Sequence, residues 1–138
     1  MTVRADILAY IKTILQGVSD LTEISVDRAN LIDLETVKFP AAFVFSGTES
    51  RVTDPSYAVI GYETWRWNVA IEVFAQNKDM EILLGTIHEK MHSGETMNGK
   101  AVTSYRTGVD MLIIDPIQSI KAMLIDYEIV YRHQKGGP

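Results

Sequence analysis

Glu63-Thr-Trp-Arg-Trp-Asn-Val-Ala-Ile-Glu-Val-Phe-Ala75 decides the fold class. After Glu63, positions 65, 67, 69, 71, 73 and 75 are Trp, Trp, Val, Ile, Val and Ala, while Thr64, Arg66, Asn68, Ala70, Glu72 and Phe74 fall between them. A period of two puts the first set on one face of a strand and the mixed set on the other, as in a sheet with one buried face. Thirteen residues at ~3.4 Å each reach about 44 Å, longer than an ordinary strand, so the outer half is expected to project beyond the core or bend at a bulge.

Helical periodicity lies on both sides of this strand. Val3, Ile7, Leu8, Ile11, Ile14 and Leu15 form one apolar stripe over residues 2–16, with Thr2 placed to cap the N-terminus, Asp6 near the first turn and Gly17 placed to end the helix in a left-handed conformation. A second stripe, Met80, Leu83, Leu84, Ile87 and Met91, predicts a helix from Asp79 to His92 that stops at Ser93-Gly94. Ala41–Phe45, introduced by Phe39-Pro40, is too short for a helix and suits a buried strand with Pro40 at its first position. Residues 47–61 are polar and turn-rich and predict a long loop or hairpin tip. Asn98-Gly99 signals a tight turn, 101–114 a strand that Gly108 interrupts with a bulge, and 117–131 a last alternating strand after Asp115-Pro116. Residues 18–40 are irregular, with Leu21, Ile24, Val26, Leu31, Ile32, Leu34 and Val37 among polar breaks, and predict turns plus a short strand or helical turn. The sum is an α+β fold: a mainly antiparallel sheet of four strands or slightly more, with two helices packed on one face. It forms a single domain over 1–133, with 134–138 a flexible C-terminal tail.

Composition narrows the chemistry by exclusion. The 138 residues are 46% apolar and contain no cysteine, which removes disulfides, thiol nucleophiles and thiolate metal sites and suits a reducing cytoplasm. Lys and Arg number 13 against 18 Asp and Glu, a net charge of −5 that argues against a nucleic-acid grip. The start of the chain predicts no signal peptide, and no window approaches the length of a membrane span.

One stretch has the form of a metal motif. His88-Glu89-Lys90-Met91-His92 puts two imidazoles one helical turn apart, where they would hold Zn²⁺ while Glu89 served as general base on a bound water. Against it stand Lys90, the helix end at Ser93, and third-ligand candidates Glu95, Asp110 and His133 whose spacing does not recommend them. The alternative leaves His88 and His92 solvated or paired with Glu89 and Glu95 beside the Leu84 edge of the helix. Trp65 and Trp67 with Arg66 offer a nucleic-acid platform in principle, but Glu63 and Glu72 flank them, which favours core or subunit packing. Asp110, Asp115, Asp126 and Glu128 follow no calcium-loop spacing and suit solvated strand and turn positions. No G-x-S-x-G, phosphate loop or dinucleotide fingerprint is present, so neither an enzyme nor a cofactor is expected.

Taken in order, these elements resemble a family. The helix over Val3–Leu15, Lys38-Phe-Pro-Ala-Ala-Phe-Val-Phe45, a polar loop with Glu49, the strand Thr64–Val73, the helix from Asp79 to His92 and the final Asp126-Tyr-Glu-Ile-Val-Tyr-Arg132 together look like the tail terminator proteins of long-tailed bacteriophages. The resemblance implies a virion structural protein assembled in the bacterial cytoplasm. It would form a hexameric ring at the head-proximal end of the tail tube, stop tube polymerisation and present the head-joining surface. The implied partners are further copies of the chain, the tail tube protein and a head–tail connector or stopper, with DNA passing through the lumen unheld. Other neck or tail-completion proteins share this size and texture, and a minimal zinc hydrolase is the enzymatic alternative. The resemblance places no functional residue; Arg51, Tyr57, Tyr62 and Trp65, chosen for residue type and for lying on or beside the 47–61 loop, are the expected interface positions.

Overall fold

In the computed structural model, which describes residues 2–27 and 36–136, the order is α1 (Val3–Gln16), β1 (Glu23–Val26), β2 (Ala41–Arg51), a 3-10 turn (Pro55–Tyr57), β3 (Tyr62–Gln76), α2 (Met80–Ser93), β4 (Thr103–Asp115) and β5 (Ile120–Gln134). The expected residues 28–35 of the irregular segment, with Leu31, Ile32 and Leu34, lie outside the described residues, as do 137 and 138. The fold is α+β, but the sheet has five strands in the order β1-β2-β3-β5-β4, and β1 runs parallel to β2. The expected mainly antiparallel sheet of four strands or slightly more therefore has five, one pair of them parallel: Glu23–Val26, within the irregular segment, is a four-residue edge strand, half-buried throughout, and too short to show a period of two.

β3 and β5 form the spine. They pair antiparallel without interruption from Tyr62 opposite Gln134 to Gln76 opposite Ile120. On one face this ladder aligns Trp67 with Ile129, Val69 with Tyr127, Ile71 with Ile125 and Val73 with Met123, all buried. Both helices cover that face: Ile7, Ile11 and Leu15 of α1 and Met80, Leu83, Ile87 and Met91 of α2 join the same core. The apolar stripes of strand and helices thus bury each other, which is the main stabilising contribution to a domain of this size. On the other face a smaller cluster of Val37, Ala41, Phe43, Phe74 and Ala122 covers only the β2 end.

The expected bend is on the neighbouring strand. β3 carries no bulge, while β2 shifts register between Ser46 and Glu49, where a Cβ on Gly47 would lie 3.1 Å from the Asn68 carbonyl oxygen. Glycine lets the two backbones approach there. β2 therefore continues to Arg51, six residues past the expected end at Phe45, and the loop shrinks to residues 52–61. Thr2 caps α1 by accepting from the Ala5 N–H at 3.1 Å, and Asp79 caps α2 through Glu81 N–H at 3.0 Å. Gly17 ends α1 in a right-handed conformation (φ −77°), its N–H closing a short turn onto Ile14. The Asn98-Gly99 turn is left-handed at both residues, with φ 56° and 83°, and β4 shifts register between Arg106 and Gly108 as its glycine predicts. Gln134 closes the β5 ladder and the Lys135 N–H donates to Gly61 at 3.0 Å, so pairing runs past the expected domain limit at 133.

Truncating the centre of this spine tests its weight. Ile71 is fully buried between Ile125 and the helices, so Ile71→Ala is expected to lower unfolding free energy by about 2–5 kcal/mol in urea titration.

Candidate functional site

The helix-covered face ends in a polar joint above β3. Arg4, in the first turn of α1, sets its guanidinium carbon 4.6 Å from the centre of the Trp67 ring. Its Nε lies 3.5 Å from Glu49 Oε2, the same oxygen that accepts the Tyr131 hydroxyl in a short hydrogen bond. Trp67 meets Tyr131 edge to face, centroids 6.0 Å apart. Burial and the Glu49 carboxylate both hold the Tyr131 hydroxyl far above its ordinary pKa, because ionising it would desolvate one anion beside another. Cation, carboxylate and phenol thereby lock α1, the β2 bulge and β5 together. The arrangement is structural, with every charge already matched.

Four expected interface residues surround the far end of β3, and three of them meet. Arg51, Tyr57 and Tyr62 line a crevice of about 400 Å³ beneath the 52–61 loop. Trp65 points away from it: on the helix-covered face it stacks on His133 at 6.1 Å, and its Nε1–H donates to Glu63 at 3.3 Å. A period of two separates Trp65, which shares the parity of Trp67, from Tyr62 on the same strand, while Arg51 on β2 stands directly opposite Trp65. Asp54 shapes the loop by accepting from the Ser56 N–H at 3.0 Å, and this bond together with the Ser56 hydroxyl holds its carboxyl below the usual range. Thr64 anchors the loop from beneath, donating to the Tyr57 carbonyl at 3.0 Å. Beside the exposed Thr53, Asp54 and Ser56, the loop end also exposes large apolar side chains: Val59 at 42%, Ile60 at 100% and Tyr62 at 42%.

The opposite end of the sheet carries a surface that pattern reading passed over. Leu112 is 57% exposed, Ile113 70% and Ile117 93%, with Met111 and Ile114 also exposed. They sit at the β4–β5 turn, on the outermost strand, and Met111, Leu112 and Ile113 line a crevice of about 660 Å³ with Asp79, Glu81 and Lys121 from α2 and β5. The signal was Met111-Leu-Ile-Ile114, four apolar residues in succession where a half-buried strand alternates. An edge strand leaves backbone groups unpaired, and here it also carries continuous exposed apolar side chains.

The HExxH helix offers less. His88 and His92 lie 6.4 Å apart between ring centres on the same side of α2, while Glu89 is exposed. His92 approaches Glu95 at 3.9 Å, Asp110 is on β4 paired with Leu124 on the face away from the helices, and His133 is beside Glu63 at the far end of β5. Among the described residues no three His, Cys, Asp or Glu side chains converge for a metal. His88 instead borders a crevice of about 340 Å³ with Arg106 and Tyr127, and its Nδ1 and the Tyr127 hydroxyl are buried without a hydrogen-bond partner. Burial first, then the nearby Arg106 and His92, hold the His88 pKa below its ordinary value, while burial pushes Tyr127 up to about 12.

Two outcomes follow from these joints. Glu49→Leu strands the Tyr131 hydroxyl and Arg4, and is expected to cost about 1–3 kcal/mol in denaturant unfolding, whereas Glu49→Gln, which keeps an acceptor, costs less. Because the unfolded chain protonates His88 more readily than the fold does, its contribution favours the fold above the ordinary histidine pKa of about 6.5 and is lost as pH falls from there through the lower folded value. Thermal unfolding at pH 7.5 and 5.5 should show this loss, and His88→Gln, with Arg106, His92, Glu95 and Tyr127 left in place, should reduce it.

A scan against models of known protein families gives no match to this chain, and a search of curated proteins gives none either.

Proposed function

We propose that this chain is a phage tail terminator, a virion structural subunit whose hexameric ring caps the head-proximal end of the tail tube. The observation that carries an assembly role is the exposed apolar turn of the outermost strand, where Leu112, Ile113 and Ile117 stand in solvent in the isolated chain. Surfaces of this kind mark contacts with another protein. The order of elements, which resembles the tail terminators, gives that contact its setting: neighbouring copies in a ring, the last ring of the tube on one side and the connector on the other.

Two further features suit the role. Function requires no catalytic group, since a ring whose outer face differs from the tube's offers tube subunits nowhere to add. The sheet face left uncovered by the helices carries Glu72, Asp110, Asp126 and Glu128 against Arg66 and Arg132, and Arg66 is already paired with Glu128 at 3.2 Å. Burial raises the Glu72 pKa, but the remaining acids still outnumber the bases. A face of that sign facing a lumen would let DNA backbone pass without holding it. No helix of the described residues is long and apolar enough to cross a membrane.

Electron microscopy of the purified protein, alone and mixed with tail tubes, tests this function. Rings seated at one end of the tubes and blocked tube growth are expected. Monomers that leave the tubes open and growing would overturn the assignment.

A further inference from the structure

The two exposed apolar surfaces stand at opposite ends of one ladder. Tyr62 pairs with Gln134 at the loop end and Gln76 with Ile120 at the turn end, so the β3–β5 spine holds them about 48 Å apart at ~3.4 Å per residue. Each end has an apolar centre beside a crevice: Ile60 with Val59 and Tyr62 at one, and Ile113 with Leu112 and Ile117 at the other.

Their charges are opposite. Around the β4–β5 turn stand Asp79, Glu81 and Asp115 against Lys78 and Lys121, an excess of acid. Around the 52–61 loop the crevices present Arg51, Arg132, Lys135 and Lys100, the last 3.9 Å from Asp6, against Asp54 and Glu63, an excess of base. A surface that is acidic around an apolar centre repels its own copy and attracts its complement, so turn-to-turn and loop-to-loop contacts are both disfavoured.

We infer that the β4–β5 turn of one copy of this chain docks on the 52–61 loop of the next, head to tail, with Ile113 and Ile117 entering the apolar surface made by Val59, Ile60 and Tyr62. Such a contact is heterologous: each copy keeps one end free, and repetition closes a ring if the rotation between copies allows. The inference deepens the ring assignment and rests on it for the number of copies, but the pairing of the two ends stands by itself. It also gives Tyr62 and Arg51 a partner surface on the neighbouring copy, which the isolated chain does not contain.

The contact is tested by mixing two variants. Ile113→Asp paired with Ile117→Asp spoils the turn, and Ile60→Asp spoils the loop; all three positions are exposed, and unchanged circular dichroism and thermal midpoint confirm folding. Each variant alone is expected to lose at least about thirtyfold in self-association, the scale of removing a central interface anchor. Mixed one to one, the intact loop of the first meets the intact turn of the second, so mass photometry should show a heterodimer that grows no further. Charge reversal gives a second readout: Glu81→Lys should weaken association, and a partner carrying Lys135→Glu should regain part of it. The inference is overturned if wild-type protein stays monomeric, if either variant alone still oligomerises like wild type, or if the mixture stays monomeric. Rings that survive both variants would overturn this pairing and leave the terminator function intact. Rescue by mixing, with tubes left uncapped, would uphold the pairing and remove the terminator function.

Discussion

Fifteen uninterrupted residue pairs between β3 and β5 are the constraint on which the rest of this molecule depends. Strand register has a period of two, so a single slip would turn Trp67, Val69, Ile71 and Val73 outward and leave both helices nothing to cover. The ladder also fixes distance. Because neither strand breaks, the 52–61 loop and the β4–β5 turn are held at the two ends of a stiff element, where a bulge in β3 would have let them swing toward one another. The irregularities needed to shape the sheet fall on β2 and β4, the strands flanking the spine.

Parts of this were legible because they repeat. The stripes of α1 and α2 and the alternation of β3 recur often enough to outweigh local exceptions, and Thr2, Asp79 and the Asn98-Gly99 turn mark boundaries by chemistry that acts within three or four residues. What escaped the sequence depends on partners distant in the chain. β1 exists because Glu23–Val26 lies along Ala41–Val44, and nothing in four residues announces that pairing. β2 runs on through the polar Ser46–Arg51 because β3 supplies a neighbour beyond the core, while Gly47, which reads as a turn residue, marks instead the close passage of two backbones. The joint of Arg4, Glu49, Tyr131 and Trp67 joins residues up to 127 positions apart by number and had no local signature.

The candidate surfaces divide in the same way. Arg51, Tyr57 and Tyr62 were reachable from residue type and loop position, whereas Trp65 was assigned beside Tyr62 without regard to parity, which turns these two to opposite faces of β3. The apolar turn was visible as Met111–Ile114, yet a continuous apolar run is also how a buried central strand reads. Only the strand order, with β4 outermost, shows that these side chains have no second strand to cover them.

Charge shows best what position adds to composition. A net −5 describes an evenly acidic particle as well as a polarised one. Here acids outnumber bases on the uncovered sheet face and around the β4–β5 turn, while bases outnumber acids in the crevices beside the 52–61 loop. Uniform acidity would keep copies apart. In the proposed head-to-tail contact, polarity along a rigid axis would favour one orientation of each copy on the next, and the angle between successive copies would decide between a closed ring and an open fibre. That angle is set where the two ends are carried, on paired strands whose twist is a property of the whole ladder. An assembly that must stop at a fixed count is better served by such a spine than by ends mounted on hinged loops, since sheet twist changes little from one copy to the next.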